Sequence, residues 1–277
     1  MSQPQAQILP GERLHLRHGP IDLILGAQGN RDAAFAAAKA RFDGLLEELV
    51  AELPHLRAPL GAYRFTGAVA RRMARAVAAH SGFVTPMAAV AGAVADEVLA
   101  AMVGAATLTR AYVNNGGDIA LHLGPGATCH AAMASTEAQN LGQVEITANS
   151  PVRGIASSGR GGRSLSMGIA DSVTVLARTA AEADVAATLI ANAVDLPGHR
   201  AITRQPARDL QPDSDLGSRL VVTGLGALGP AEISRALAQG AQRAQRLQSR
   251  GAIHSAALFL RGQARVINEN IKEVAHA

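Results

Sequence analysis

Apolar and polar residues alternate near the start of the chain, which is the pattern of strands with one buried face. Arg13–Arg17 and Ile21–Leu25 alternate on either side of a His-Gly-Pro turn and predict a first hairpin. Ile253–Leu260 and Ala264–Ile267 predict a last hairpin around an Arg-Gly-Gln turn. We therefore expect antiparallel sheet at the beginning and at the end of the chain.

Between these hairpins, apolar residues recur every three or four positions and predict helices. Asn30 is a good cap for a long amphipathic helix that reaches Glu52, and Thr66 is a candidate cap for a second helix. A β-branched strand, Ser172–Ala177, runs into a helix over Ala180–Val194, and a late helix extends from Pro230. Strands and helices come in mixed order, so the fold class is α+β, with helices packed on antiparallel sheets in two interlocked lobes. The core of this fold is expected to bury Val113, Ile119, Val173, Val175 and Leu189.

An Ala- and Gly-rich stretch follows Pro86 and predicts a helix that packs closely against a sheet or a second copy of the chain, so a homodimer is an open alternative. Its only charges are Asp96 and Glu97. A metal, an arginine or a ligand hydroxyl would satisfy Asp96, and the alternative is that both carboxylates lie at a solvent edge. The arginines at 71, 72 and 75 pose a similar choice between phosphate binding and a solvated helix face.

Composition narrows the class of protein. With 277 residues and 48% hydrophobic content, the chain is long enough for a sizeable core, and no linker divides it, so we expect a single domain over residues 1–277. The net charge of +4 comes mainly from arginine, which favours a small anionic ligand over nucleic acid. Cys129 is the only cysteine, and the N-terminus has no apolar signal region. A cytoplasmic protein without a membrane span is the expectation.

The central stretch Tyr112–Gly126 predicts a hairpin with an almost bare tip. Its turn residues are Asn115, Gly116, Gly117 and Asp118, preceded by Asn114. Paired glycines let a ligand approach backbone N–H groups, and the three polar side chains lie beside them. An ordinary Asn-Gly hairpin without a ligand is the alternative.

Two further stretches have chemistry suited to phosphate and metal. The loop from Ser157 to Ser164 combines hydroxyls, glycines and two guanidinium groups; its candidate residues are Ser157, Ser158 and Gly159 for binding and Arg160 and Arg163 for charge stabilisation. A mobile turn between strands is the alternative for that loop. Asp184 and Thr188 are one helical turn apart, which suits Mg²⁺ with water or phosphate oxygens. A dipole partner and a core residue are the alternatives for this pair.

Three segments, taken in order, resemble the ApbE superfamily. They are GAVADEV at 92–98, YVNNGGDIALHLG at 112–124 and SVTVLARTAAEADVAATLIANAV at 172–194. The best-known members of that superfamily are FAD-dependent FMN transferases. The whole chain is most similar to a compact bacterial and archaeal branch of it.

The resemblance implies an ApbE-like α+β fold, a flavin (FAD or FMN) or related nucleotide, and a divalent ion such as Mg²⁺. By position, Asp184 and Thr188 match the metal ligands of the superfamily. The residues Asn114, Gly116, Gly117 and Asp118 match its glycine hairpin at the flavin, and Asp96 matches the acidic end of its Lys-Gly-Tyr-Ala-Val-Asp helix.

The chain departs from that pattern at chemically important positions. Ala91 and Ala93 replace the lysine and tyrosine of the helix motif, and a His-Ile-Ile-Asp-Pro segment has no counterpart. Three functions therefore stay open: a Mg-dependent FMN transferase or FAD pyrophosphatase, a non-catalytic protein that keeps the cofactor pocket, and a structural partner that dimerises through its Ala-rich helices. The transferase chemistry needs positioning and charge neutralisation, which the missing lysine and histidine would weaken.

Overall fold

The structure is a computed structural model that describes residues 3–134, 140–162, 164–267 and 271–272. Its contacts divide the chain into two compact units, each built from three separate stretches. Unit 1 comprises Met1–Cys129, Thr147–Ala156 and Ala177–Val185, and unit 2 comprises the remaining residues. Neither unit is a continuous piece of chain, and the polar connection at 197–218 lies within unit 2.

Strands and helices alternate irregularly along the chain, as expected for an α+β fold. The strands are β1 (Gln5–Leu9), β2 (Arg13–His18), β3 (Ile21–Gly29), β4 (Leu108–Asn115), β5 (Asp118–Leu123), β6 (Thr128–Ala134), β7 (Asn140–Thr147), β8 (Gly154–Ser158), β9 (Ser172–Ala177), β10 (Ile202–Pro206), β11 (Leu220–Leu225), β12 (Ser255–Leu260), β13 (Gln263–Ile267) and β14 (Ile271–Lys272). The helices are α1 (Arg31–Phe42), α2 (Leu45–Ala51), α3 (Leu53–Leu56), α4 (Ala68–Ala78), α5 (Val90–Ala105), α6 (Ala180–Ala193), α7 (Ala207–Leu210) and α8 (Pro230–Ser249), with a 3₁₀ turn at Pro86–Ala89.

Unit 1 is built on an antiparallel sheet in the order β1-β2-β3-β4-β5, and the start of β8 pairs antiparallel with β5. This confirms the predicted first hairpin, with Leu14 opposite Leu25 and His18 opposite Ile21. Alternate residues point to one buried face, including Leu23 and Val113, which are fully buried. Ile119 was predicted to be buried as well, and that prediction is wrong: it is only half-buried, because alternation turns it away from the face that holds its buried neighbour Ala120.

The predicted long helix from Asn30 to Glu52 is broken into two helices, α1 and α2, and the short helix α3 follows it. Asn30 caps α1, its side-chain oxygen accepting from the Ala33 N–H at 3.4 Å. Gly44 adopts a left-handed conformation, φ 73°, and ends the first segment there. Thr66 does not cap α4; its N–H and hydroxyl instead donate to the carboxylate of Glu52, at 2.7 and 2.8 Å.

Helix α5 is the central helix of unit 1, where it contacts α1, α4, β4 and β5. Its buried residues are Gly92, Ala93, Val94, Ala95, Val98, Leu99 and Met102. Within the described ranges, Pro86–Ala105 is the one helical segment long and apolar enough to cross a bilayer by length and composition, with a mean hydropathy of 1.6. The core helix of a water-soluble domain meets the same criterion, and the contacts of α5 are those of a core helix.

Unit 2 contains antiparallel pairs formed by strands from β6 onward. Strand β12 lies between β9 and β13, β10 pairs with β11, and β7 lies between β6 and β14. The predicted last hairpin is confirmed as β12–β13, and α8 contacts both of its strands. Val173 and Val175 are fully buried as predicted. Leu189 is half-buried, contrary to prediction, because the fully buried stripe of α6 follows its alanines and Ile190.

Candidate active site at the first turns of two helices

The first turns of α5 and α6 approach each other at backbone distance. A Cβ added to Gly92 of α5 would lie 2.3 Å from the carbonyl oxygen of Ala180, the first residue of α6. On β8, a Cβ added to Gly154 would lie 2.1 Å from the carbonyl oxygen of Thr179. Both contacts are shorter than any van der Waals contact, so only glycine fits at either position. The start of α6 is therefore held between two glycines.

Two carboxylates, one from each helix, accept hydrogen bonds across this contact. Asp96 of α5 accepts from the N–H groups of Ala180 and Ala181, at 3.0 and 2.9 Å. Asp184 of α6 accepts from the N–H of Gly92 at 3.0 Å. Each helix thus supplies a carboxylate to N–H groups in the first turn of the other, where those groups have no partner within their own helix.

The partners of Asp96 and Glu97 on α5 differ from those that the sequence suggested. Asp96 is satisfied by backbone N–H groups, which was neither of the expected options. Glu97 does not lie at a solvent edge, because it accepts from Arg41 at 2.9 Å and from Arg72 at 2.8 Å. Arg72 is therefore not part of a purely solvated face, unlike its exposed neighbour Arg71.

The pKa values of Asp96 and Asp184 are both raised above the ordinary value of an aspartate. Burial raises the pKa of Asp96 to about 6, and the N–H donors of Ala181 and Ala180 offset only part of that effect. Burial also raises the pKa of Asp184, and the negative charge of Asp96 raises it further. Both residues are half-buried. A cation bound between them would relieve the repulsion that their ionised forms experience.

The tip of the β4–β5 hairpin meets the same turn of α5. Asn115 is 5% exposed, and its side-chain N–H group donates to the carbonyl of Ala91 at 3.1 Å. Asn114 accepts from the N–H of Gly117 at 2.8 Å. Gly116 and Gly117 have φ values of 65° and 111°, which L side chains rarely adopt.

The two tip glycines are explained by the turn itself. A Cβ on Gly117 would meet nothing within 4 Å, so close packing of the protein does not require glycine there. Asp118 is buried, at 8% exposure, beside Asn115. The tip therefore combines an open backbone with the Asn115 amide fixed against α5 and the buried Asp118 opposite Asn115.

The predicted phosphate loop has internal partners of its own within unit 2. Ser157 and Thr174 hydroxyls are 3.0 Å apart, and Arg160 donates twice to one oxygen of Asp171, at 3.0 and 2.7 Å. Gly159 lies against Asp171, since a Cβ there would be 2.5 Å from its carbonyl oxygen. Ser158 is half-buried on β8, and Arg163 lies outside the described residues.

The structure brings together part of the predicted site. Asp96, Asp184 and Asn115 all contact α6 or α5 at the Ala91–Gly92 and Ala180–Ala181 turns, within unit 1. Thr188 lies one turn after Asp184 on α6 and is half-buried. The convergence of the Ser157–Ser164 loop on this region stays a prediction.

Asp171 is the residue that sequence reasoning missed. It accepts from Arg160 and, through its second oxygen, from the backbone N–H of Arg261. Its position just before β9 carried no signal of this role, because the partners lie 11 and 90 residues away.

The donor set can be tested against the divalent ion that the resemblance implies. Across the described ranges, no three His, Cys, Asp or Glu side chains cluster closely enough to hold a metal. The pair Asp96 and Asp184 offers carboxylate oxygens, which are the ligands that Mg²⁺ prefers. Because Mg²⁺ usually keeps several waters and shares phosphate oxygens, two carboxylates fit an ion that arrives with a nucleotide.

The fold and this contact define an α+β protein with paired carboxylates at the first turns of two helices and a glycine hairpin against them. The chain belongs to the family described as AbpE bacteria, whose family model matches residues 6–266. This confirms the resemblance to the ApbE superfamily that the three sequence segments indicated.

The curated relatives are archaeal proteins named UPF0280 protein. The protein of Methanothrix thermoacetophila is 43% identical over 112 residues, covering 40% of this chain and 46% of the relative. That of Methanococcoides burtonii is 33% identical over 159 residues, covering 57% and 66%. The chain spans about half to two thirds of the length of these relatives. Among solved structures, apo flavinyl transferase ApbE of Pseudomonas stutzeri aligns with a TM-score of 0.36 at 13% identity, over 71% of this chain and 87% of that one.

Proposed function

We propose that this protein binds a flavin or a related pyrophosphate nucleotide together with a divalent cation, at the contact between the first turns of α5 and α6. The observation that carries the proposal is the Asp96–Asp184 pair, two half-buried residues whose carboxylates accept N–H groups across the helix contact and have raised pKa values. Such a pair is costly for an apo protein, because its neighbouring negative charges repel each other in a partly buried site. A cation with its phosphate ligands offsets that cost.

The chain offers a defined set of groups for this ligand. Asp184, with Thr188 as the second residue expected from sequence, would hold the cation, and Asp96 lies beside it. The open backbone of Gly116–Gly117 suits the edge of a flat ring, with Asn114, Asn115 and Asp118 as polar contacts. When bound, the cation would neutralise phosphate charge.

A transferase or pyrophosphatase is the first form of this proposal. Family membership supports it, since the best-known members of the superfamily transfer FMN from FAD. In this form, Asp96 is the candidate catalytic carboxylate, because it lies at the start of α6, where it accepts from the N–H groups of Ala180 and Ala181. Arg160 would reach phosphate only by exchanging its ion pair with Asp171. A cytoplasmic location belongs to the same proposal.

A non-catalytic cofactor-binding protein is the second form, and one observation favours it. Both carboxylates already accept backbone N–H groups, so they stabilise the helix contact whether or not a reaction takes place. The alanines at 91 and 93, where the superfamily motif has lysine and tyrosine, also remove groups that would act on a substrate.

A single incubation separates these forms. Purified protein is mixed with FAD and Mg²⁺, and the products are separated by chromatography with mass detection. Release of AMP with FMN, free or protein-bound, supports the enzyme; Mg²⁺-dependent retention of intact FAD supports the binding protein. If FAD, FMN and other nucleotides neither bind nor react, the proposal is wrong.

A further inference from the structure

The C-terminal part of the chain carries a concentrated positive charge. Between Glu232 and Glu269 there are six arginines and no Asp, Glu or Lys. Four of the six, Arg235, Arg243, Arg246 and Arg250, lie on α8 or directly after it. The only acidic residue of α8, Glu232, is in its first turn and is paired with His199 at 2.8 Å.

Three of these arginines share one face of the helix. Arg243, Arg246 and Arg250 are spaced by three and four residues, so their side chains neighbour one another. Arg243 is half-buried beside the buried residue Ala244, whereas Arg246 and Arg250 are exposed. Arg246 is oriented by Gln242, which accepts from it through the backbone carbonyl at 3.3 Å and the side-chain oxygen at 3.0 Å.

This cluster has no acidic partner in the part of the chain that the structure describes. Arg41, Arg72, Arg160 and Arg204 each pair with a carboxylate, but Arg243, Arg246 and Arg250 do not. Burial lowers the pKa of Arg243, and the charges of Arg246 and Arg250 lower it further. The helix dipole favours cations in the last turn, which accounts for Arg246 and Arg250. It does not account for the half-buried Arg243, two turns from the end.

The other residues of this face narrow the kinds of partner that the arginines could bind. Its exposed neighbours are Gln242, Gln245 and Ser249, which are small polar groups able to hydrogen-bond to phosphate oxygens. Helix α8 exposes no aromatic or large apolar side chain. Base stacking on aromatic rings and membrane insertion both need such side chains, so this face lacks what they require.

We propose that Arg243, Arg246 and Arg250 form a binding site for the linked phosphates of a small diphosphate or triphosphate. Guanidinium forks match phosphate oxygens in pairs. The span from Arg243 to Arg250 is about 10 Å along the helix, which exceeds one phosphate and suits two or three in series. All three arginines belong to unit 2, whereas Asp96 and Asp184 belong to unit 1.

The test uses inorganic pyrophosphate and the full chain. Binding is measured by isothermal titration calorimetry in low-salt buffer with EDTA, so that Mg²⁺-dependent binding elsewhere does not contribute. Arg243→Gln and Arg246→Gln should each weaken binding about tenfold or more. The matched control is Arg235→Gln, which removes the same charge from the same helix two turns earlier and should change affinity less than threefold.

A second measurement separates the site from a structural role. Without ligand, Arg243→Gln should leave the melting temperature unchanged or raise it, because it removes an unpaired half-buried charge; with pyrophosphate it should lose most of the stabilisation seen in the wild type. No binding of pyrophosphate by the wild type would overturn the proposal. Equal losses in Arg235→Gln would also overturn it, because they would indicate general electrostatic attraction. So would binding of duplex DNA, with a steep salt dependence, in place of pyrophosphate.

Discussion

Replacing Gly92 by alanine should destabilise the protein although alanine is the better helix former. The new Cβ would lie 2.3 Å from the carbonyl oxygen and 2.4 Å from the carbonyl carbon of Ala180. These are backbone atoms at the start of α6, so they cannot move aside as the end of a side chain could. Overpacking of this kind costs about 1–3 kcal/mol.

The same helix offers a matched control. Gly104 lies near the end of α5, is exposed, and a Cβ there would meet nothing within 4 Å. Gly104→Ala should therefore leave the free energy of unfolding unchanged or raise it by up to about 1 kcal/mol, which is the usual difference in helix propensity.

The assay is urea unfolding followed by far-UV circular dichroism, with thermal melting as a second measurement. At about 2–4 °C per kcal/mol for a chain of this size, Gly92→Ala should lower the melting temperature by about 2–12 °C. If Gly92→Ala is as stable as the wild type, the backbone contact between α5 and α6 is wrong, and with it the geometry of the candidate site.

Two further predictions concern carboxylates that hold unit 1 together. Although burial alone raises the pKa of Glu52, hydrogen bonds from the Thr66–Gly67 turn hold it below the ordinary value of 4.5. The ionised Glu52 therefore stabilises the fold above about pH 4.5, and this contribution is lost as the pH falls through the folded-state pKa. Glu52→Gln should lower the free energy of unfolding by about 1.5–3 kcal/mol at pH 7. In urea titrations, the difference from the wild type should shrink below about pH 4.5. Glu97→Gln should lower the free energy of unfolding by about 1–3 kcal/mol in the same assay, because it leaves Arg41 and Arg72 half-buried without their shared carboxylate; an unchanged value would show that this network is dispensable.

Local patterns were sufficient to predict much of the fold. Alternation predicted the β2–β3 hairpin, and the Asn-Gly-Gly-Asp turn predicted the β4–β5 hairpin, because both depend on residues close in sequence. The β9–α6 segment was predictable for the same reason. The break at Gly44 was not, since its apolar spacing continues through the left-handed turn.

The contacts of the candidate site could not be predicted in the same way. Asp96 and its N–H donors are 84 and 85 residues apart, and Asp184 is 92 residues from Gly92. The spacing of apolar residues predicts a helix, but it does not indicate which carboxylate accepts from the N–H groups at the start of that helix. Asp184 was a candidate through its resemblance to a metal ligand, but its hydrogen bond to α5 required the structure. The pairing of Arg160 with Asp171 could not be predicted either, because the two residues are 11 positions apart, one after β8 and the other before β9.

The central claim is that a nucleotide and a divalent cation bind together at the Asp96–Asp184 contact. Its most direct test is the melting temperature with and without saturating FAD, in Mg²⁺ and in EDTA, for the wild type, Asp184→Asn and Glu182→Gln. Glu182 is the control because it lies two residues earlier on the same helix and pairs with Arg178. A ligand that binds only the folded protein stabilises it by about 2.7 kcal/mol at a hundred times its Kd. We expect FAD to raise the melting temperature of the wild type and of Glu182→Gln in Mg²⁺ but not in EDTA, and to leave that of Asp184→Asn unchanged. An equal rise in all three proteins, or no rise in the wild type with any flavin nucleotide, would contradict the claim.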